Sequence, residues 1–190
     1  MNLSKKIVLL AMVSGLFASG LGMSVSYADA AKDAAAAEKE KASKNPYPND
    51  SGPATISDLA SYSAEEQAGY KLMTVKCAAC HTPSRPLNSQ FVDLKAPEIA
   101  QLKASKPELF QNKEIWQIEE GIWQRYVKRM MAKPGCNINT EDGKKIFKFL
   151  VAYSKKAKVT NSAAWKGHRG KLVSDFKQQH PDKYKEIFGK

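Results

Sequence analysis

Five consecutive residues, Cys77-Ala78-Ala79-Cys80-His81, give the clearest indication of chemistry in this sequence. This C-x-x-C-H pattern is typical of covalent attachment of a c-type haem. Two thiols at this spacing can both bond to the vinyl groups of one haem, and the adjacent imidazole can reach the iron from the same side. The motif therefore predicts one covalent haem, with Cys77 and Cys80 as its thioether residues and His81 as the proximal iron ligand.

Two other kinds of site share the C-x-x-C spacing. A dithiol redox pair normally follows a strand in a βαβ pattern, whereas the residues that flank Cys77 have a helical pattern. A structural zinc site needs four ligands, and only Cys136, His168 and His180 are left elsewhere in the chain as cysteine or histidine ligands. We favour haem attachment over both alternatives.

The N-terminus has the pattern of an export signal. Lys5 and Lys6 precede an apolar run from Ile7 to Ala18, and Ala28-Asp29-Ala30 matches the A-x-A form of a cleavage site. We expect residues 1–30 to be a signal peptide and the mature protein to be periplasmic, the compartment in which haem joins a C-x-x-C-H motif. The alternative is an uncleaved anchor with the protein facing the periplasm, because residues 7–25 are long enough to span a bilayer.

Positive charge is concentrated near the C-terminus. The formal net charge is +11, and residues 1–30 contribute two lysines and one aspartate, so residues 31–190 carry +10. Residues 155–190 hold ten Lys or Arg against three Asp or Glu, a net +7. We expect an acidic redox partner, or association with a membrane surface, and no nucleic acid because the protein is exported. A solvated basic face is the simpler alternative, and the oligomeric state stays open.

The third cysteine has no role in the motif. Cys136 lies in the turn-like stretch Lys133-Pro134-Gly135-Cys136-Asn137. We favour a free, partly shielded thiol, with an intermolecular disulfide as the alternative.

The mature chain is long enough for one domain, which we place at residues 56–155. Residues 31–55 have the composition of an Ala/Lys/Glu-rich tether followed by a Pro-rich linker, and residues 156–190 form a basic, aromatic-containing C-terminal tail with one or two short helices. A capping box at Ser63–Glu66 predicts a helix that ends near Lys76 and delivers the haem motif.

Further helices are predicted after the motif. Residues 82–102 have a Pro-punctuated loop pattern, a second capping box begins at Ser105, and apolar spacing favours a helix over about 113–128. Thr140 is a plausible N-cap for a last helix with an apolar stripe. We expect this last helix to cross the first at Gly69, where a residue without a side chain allows close approach.

The second axial iron ligand has four candidates: Met130, Met131, His168 and His180. Met130 and Met131 lie where the chain leaves one predicted helix and approaches the next, so a thioether could point back to the iron. The two histidines belong to the tail.

The order of these features resembles the monohaem class I cytochrome c family over about residues 60–155. The resemblance is carried by the haem motif, by Gly69 and Met73 in the first helix, and by Trp123-x-x-x-Val127-x-Arg129-Met130. It implies an all-α, class I cytochrome c-like helical haem domain, to which this chain adds the tail. It also implies Met130 as the distal ligand, with Met131 as second choice.

The expected function is that of an electron carrier and not of an enzyme. One haem c would pass single electrons between respiratory-chain partners. A haem-bearing relay or docking subunit of a larger redox complex is the alternative. A haem enzyme or ligand sensor with an open sixth site is less favoured, because no acid–base set stands out in the sequence.

Overall fold

The computed structural model describes residues 27–52, 54–111 and 116–189. The described chain is dominated by α-helices and contains one short pair of parallel strands. In chain order the elements are α1 (Tyr27–Lys44), α2 (Ala64–Lys76), α3 (Ser84–Leu87), β1 (Phe91–Val92), α4 (Ala96–Ser105), β2 (Gln117–Ile118), α5 (Ile122–Met131), α6 (Thr140–Ser154), α7 (Ser162–Gln179) and α8 (Pro181–Phe188). Short 3₁₀ turns lie at Pro48–Asp50, Leu59–Ser61, Cys77–Ala79 and Pro107–Phe110, and a π-helical turn at Lys155–Thr160. The predicted all-α class is confirmed.

Helices α2 and α6 cross as the sequence predicted. Ser63 caps α2 in a full capping box with Glu66, and the helix ends where the haem motif begins. At Gly69 an added Cβ would lie only 2.1 Å from the carbonyl oxygen of Lys145. Glycine therefore allows the two backbones to touch, and the rings of Tyr62 and Tyr70 pack edge-on against Phe149 of α6 beside the crossing.

Helix α5 differs from its prediction. It begins at Ile122, because residues 117–118 pair with β1 and Gly121 takes a left-handed conformation (φ +72°). The predicted start near residue 113 lies outside the described residues. The buried carboxylate of Asp93 accepts hydrogen bonds from the backbone N–H groups of Gly121 and Trp123, both at 3.0 Å. A carboxylate from a distant segment thus caps α5, and no local sequence signal could show it.

The segment after the motif is more ordered than a loop. Residues 82–102 contain α3, β1 and the start of α4, so the loop prediction was wrong over this range. Ser105 ends α4 and donates to the carbonyl of Gln101 instead of opening a capping box. Helix α6 is capped by Asn139, whose side chain accepts from the N–H of Asp142, and not by Thr140.

The C-terminal tail packs against the rest of the chain. Trp165 joins a second apolar cluster with residues that include Val92, Leu109 and Trp116. Arg169, Leu172 and Phe176 are also buried, so α7 is a full packing element of 18 residues. The prediction of one or two short helices underestimated the length of α7.

Helix α1 occupies the segment that the sequence analysis describes as a tether. Its half-buried residues are mainly small, at Ala34, Ala35 and Ala42. Gly135 (φ +73°) packs so closely on it that an added Cβ would lie 2.5 Å from the carbonyl oxygen of Ala31. Small residues thus allow α1 to pack closely on the chain although its sequence has no apolar stripe. The predicted signal peptide falls largely on residues 1–26, which lie outside the described residues.

Candidate haem site

A cavity of about 410 Å³ lies between α2, α5, α6 and the segments 45–49 and 85–91. Its volume is within the range of about 300–1,000 Å³ that is usual for cofactor sites. It is lined by Asn45, Tyr47, Asn49, Cys77, His81, Arg85, Pro86, Ser89, Gln90, Phe91, Trp123, Tyr126, Val127, Arg129, Met130, Ile138, Ile146 and Leu150. Apolar residues of α5 and α6 form one part of the wall, and polar residues of the two loop segments form another.

Two residues of the haem motif face this cavity. Cys77 ends α2 and His81 follows one turn later, held by backbone hydrogen bonds from Cys80 and His81 to the carbonyl of Cys77 at 3.2 Å. Cys80 instead lines a shallower neighbouring pocket between α1 and the motif. One tight turn therefore places Cys77 and His81 on the cavity wall and Cys80 in the neighbouring pocket, which His81 also lines.

The hydrogen bonding and the protonation state of the His81 imidazole both suit a metal ligand. Its Nδ1 lies 2.9 Å from the carbonyl oxygen of Thr82, so a proton on Nδ1 leaves the lone pair of Nε2 free for iron. Burial lowers the pKa of His81 below its ordinary 6.5, with a smaller contribution in the same direction from Arg85. The neutral form, which is the one that binds a metal, is therefore favoured.

The two motif thiols are held protonated. Burial, with a smaller effect of the nearby Cys136 and Cys80, raises the pKa of Cys77 to about 12. Burial also raises the pKa of Cys80, again assisted by Cys136. None of the three cysteines forms a disulfide within the described chain, and Cys136 is half-buried. That Cys136 is a free thiol stays a prediction.

The adjacent methionines have different surroundings. Met130 lines the same cavity as Cys77 and His81. The sulfur of Met131 packs against Gly143 of α6, at 2.6 Å from where a Cβ on that glycine would lie. Of the two, only Met130 is on the cavity wall. His168 and His180 do not line it: His168 Nε2 is 2.8 Å from the side-chain oxygen of Asn88, and the ring of His180 contacts Phe176.

An ion pair and hydrogen bonds hold the polar part of the cavity wall together. Arg85 makes a two-pronged ion pair with Asp50, with its Nε 2.6 Å from Oδ1. Thr82 donates to the backbone carbonyl of Asp50 at 3.1 Å. These bonds fix the 48–50 turn against the residues that follow His81.

One buried polar atom on the wall lacks a partner. Trp123 is only 2 % exposed, yet its indole Nε1 has no acceptor among the described residues. An orphaned buried donor is uncommon in a folded protein. Haem carries two carboxylates, so a bound haem would supply an acceptor for it.

A haem fits this set of residues. Cys77, His81 and Met130 line one cavity together with apolar residues of α5 and α6, Cys80 lies in the adjoining pocket, and the unpartnered indole N–H of Trp123 could donate to an acid group. Trp123 and Ile146 line the cavity, whereas Phe149 lies in the α2–α6 crossing. Zinc gains no support, since the described residues contain no group of three His, Cys, Asp or Glu that could hold a metal.

Several residues that shape the site were not found from the sequence. Asp93 positions Trp123 by capping α5, and Asn88 links the wall to the tail through His168. Lys158 and Arg169 are buried behind the wall although they belong to a basic tail. Nothing in the sequence distinguishes these two cations from their exposed neighbours.

Comparison with known proteins gives one match. The family model described as Cytochrome c matches residues 66–154, the segment from α2 to the end of α6 that builds most of the cavity. No curated protein and no solved structure matched the chain. Within the described ranges, no helix is long and apolar enough to cross a bilayer. The match and the site together show that the segment 66–154 of this chain belongs to the cytochrome c family, whose members bind haem and transfer electrons.

Proposed function

We propose that this protein is an exported, periplasmic cytochrome that carries single electrons between respiratory-chain partners through one covalent haem c. The observation that carries the proposal is the placement of Cys77, His81 and Met130 around one cavity. When bound, the haem supplies one-electron chemistry by alternating between ferric and ferrous iron.

The residues of the chain would set the properties of that haem. Cys77 and Cys80 would hold it through thioethers, His81 would offer Nε2 to the iron, and Met130 would supply the second iron ligand from the chain. Methionine ligation favours a higher potential than a second histidine would. With two ligands from the chain the iron would have no free site for oxygen or peroxide, which favours a carrier over an enzyme or a ligand sensor.

The charge distribution supports an acidic redox partner. Residues 31–190 carry a net +10, and lysines on α7 and α8, such as Lys171, Lys177 and Lys185, are exposed. A positive surface increases the rate of encounter with an acidic protein and makes that rate depend on salt. Weaker association with an anionic membrane surface would draw on the same charges.

The tail also bears on the relay alternative. The apolar residues of α7, Trp165, Leu172 and Phe176, are buried against the chain itself, so they are not available to attach the protein to a larger complex, whereas α8 has no buried residue. The burial of α7 favours a freely diffusing carrier, and α8 is the part of the tail that a larger complex could contact. Stable co-purification with a larger redox complex would favour the relay role instead.

The test is to express the full chain with its export signal and a haem-attachment system, and to compare Met130→Ala with Met131→Ala. We expect the intact mass to show one haem, and the wild-type spectrum to be low-spin, with the weak ferric band of sulfur ligation and no response to carbon monoxide. Met130→Ala should lose that band and bind carbon monoxide in the reduced state.

The matched variant Met131→Ala should keep the wild-type spectrum, because its side chain packs against Gly143 and not toward the cavity. A wild-type protein that lacks covalent haem would refute the proposal. Ready binding of carbon monoxide to the wild type would move the assignment to sensing or catalysis.

A further inference from the structure

Lys158 is a buried cation with no acid to balance it. Its side chain is fully buried, and it forms no ion pair with any acidic residue in the described part of the chain. Its ammonium donates to the backbone carbonyl of Phe91 at 3.0 Å and to the hydroxyl of Ser89 at 3.2 Å. Buried lysines are rare unless they are paired, so this position requires an explanation.

Aromatic rings surround the same ammonium. Lys158 Nζ lies 4.9 Å from the ring centre of Trp165, 5.5 Å from that of Trp123 and 5.7 Å from that of Tyr153. The negative faces of aromatic rings stabilise a cation. The surroundings of Lys158 are therefore built for a charged group, although they contain no carboxylate.

Lys158 lies directly behind the polar wall of the cavity. Both of its hydrogen-bond acceptors belong to cavity-lining residues, Ser89 and Phe91, and so does the ring of Trp123. The indole N–H groups of Trp116, Trp123 and Trp165 lack an acceptor among the described residues, and Trp123 is the one of these three that lines the cavity. The ammonium of Lys158 thus lies behind a part of the wall where a ligand acceptor could satisfy a buried donor.

A second buried cation reaches the same wall. Arg169 is 2 % exposed and donates to the side-chain oxygen of Asn49 and, at 2.8 Å, to the carbonyl of Asn88. Its Nε has no partner among the described residues. Asn49 lines the cavity, so the tail places two positive charges behind segments 48–49 and 88–91.

Burial of uncompensated charge is costly. Burial lowers the pKa of Lys158 well below its usual range, and the neighbouring Arg169 acts in the same direction. A carboxylate bound inside the cavity would supply the missing negative charge and favour the charged lysine.

We propose that the C-terminal tail holds the carboxylate end of the haem through Lys158, assisted by Arg169, and thereby raises the haem potential. Lys158 is a positioning residue in this role: it orders Ser89 and Trp123, the groups that face the carboxylates, and contributes a positive charge from behind them. The inference rests on the proposed function, because it requires a haem in the cavity.

The test is the midpoint potential of the haem in Lys158→Met and Lys158→Gln variants of the full-length, haem-loaded protein. Removal of a positive charge close to the haem favours the ferric state, which carries more charge. With an effective dielectric constant of about 20, we expect the ferric-to-ferrous equilibrium constant to fall about tenfold, which corresponds to about 59 mV for one electron. Lys158→Gln retains an N–H donor, so it gives a result even where Lys158→Met fails to fold.

Lys177→Met is the matched control, because it removes the same charge from an exposed site on α7 and should change the potential far less. The visible spectrum of each variant reports whether the axial ligands are unchanged. Equal potentials for wild type, Lys158→Gln and Lys177→Met, with intact spectra, would overturn the inference and leave the proposed function standing. Absence of covalent haem from the wild type would instead remove the proposed function itself.

Discussion

The contact between α2 and α6 at Gly69 gives a sharp test of the fold. In Gly69→Ala the new Cβ would lie 2.1 Å from the carbonyl oxygen of Lys145 and 2.9 Å from the Cβ of Phe149. The nearest of these atoms is backbone and cannot rotate away, so α6 must move. Overpacking of this kind costs about 1–3 kcal/mol, whereas the gain in helix propensity from glycine to alanine is at most about 1 kcal/mol.

With an overpacking cost at the upper end of its range, about 3 kcal/mol, and a propensity gain of about 1 kcal/mol, the expected net loss in the free energy of unfolding is roughly 2 kcal/mol. For a chain of this size the melting temperature should fall by about 4–8 °C. Thermal and urea unfolding of the haem-loaded protein, followed by circular dichroism, would measure both quantities. Because Ile146 and Leu150 of α6 line the cavity, the haem spectrum should broaden as α6 shifts.

Gly170→Ala is the matched control. Gly170 lies in α7, and a Cβ there would meet no atom within 4 Å. Only the propensity gain applies at this site, so stability should rise by up to about 1 kcal/mol. The two glycine-to-alanine changes should therefore have opposite signs. A Gly69→Ala protein as stable as the wild type would refute the close crossing of the two helices.

Three further predictions follow from the site and the tail. Trp123→Phe keeps a ring on the cavity wall but removes the indole N–H that would donate to a haem carboxylate. The free energy of unfolding of the haem-loaded protein should therefore fall by about 1.5–3 kcal/mol. Unchanged stability would show that haem does not accept this hydrogen bond. Burial lowers the pKa of His168 below its ordinary 6.5, so the unfolded chain binds a proton at a higher pH than the folded chain, and stability should fall as the pH drops from about 6.5 to the folded-state pKa. His168→Gln should reduce this loss of stability in melting curves recorded at pH 7.5 and 5.5. The same loss in the variant would contradict a role for the buried His168. Added salt should slow oxidation by anionic ferricyanide and accelerate oxidation by a cationic cobalt complex; equal salt effects on both in stopped-flow traces would remove the argument for electrostatic steering.

Local interactions explain which elements could be predicted. The capping box at Ser63 and the lack of a side chain at Gly69 act over a few residues or at one point, and both are visible in the sequence. The haem motif is similarly local, since five residues carry it. The crossing of α2 and α6 follows directly from these features, and the fold class is what the resemblance to the cytochrome c family implies.

The features that were missed depend on residues far apart in the chain. Asp93 caps α5 from 28 residues away, so the start of that helix is set by a contact that periodicity does not show. Lys158 contacts Phe91 across 67 residues, and in the sequence it is one lysine among many. The helix predicted to begin near residue 113 failed for a related reason: pairing of Gln117–Ile118 with β1 outweighed a helical apolar spacing.

The docking of the tail also has a consequence for the order of events during biogenesis. Arg169 meets Asn49 across 120 residues, and His168 meets Asn88 across 80. Closing such long loops is entropically costly, and contacts of this range form slowly. In a chain that crosses the membrane N-terminus first, the tail would also be the last part to arrive. If the protein is exported as we propose, haem would reach Cys77 and His81 while the rear of the polar wall is still open, and attachment and final closure would be successive steps on one folding pathway.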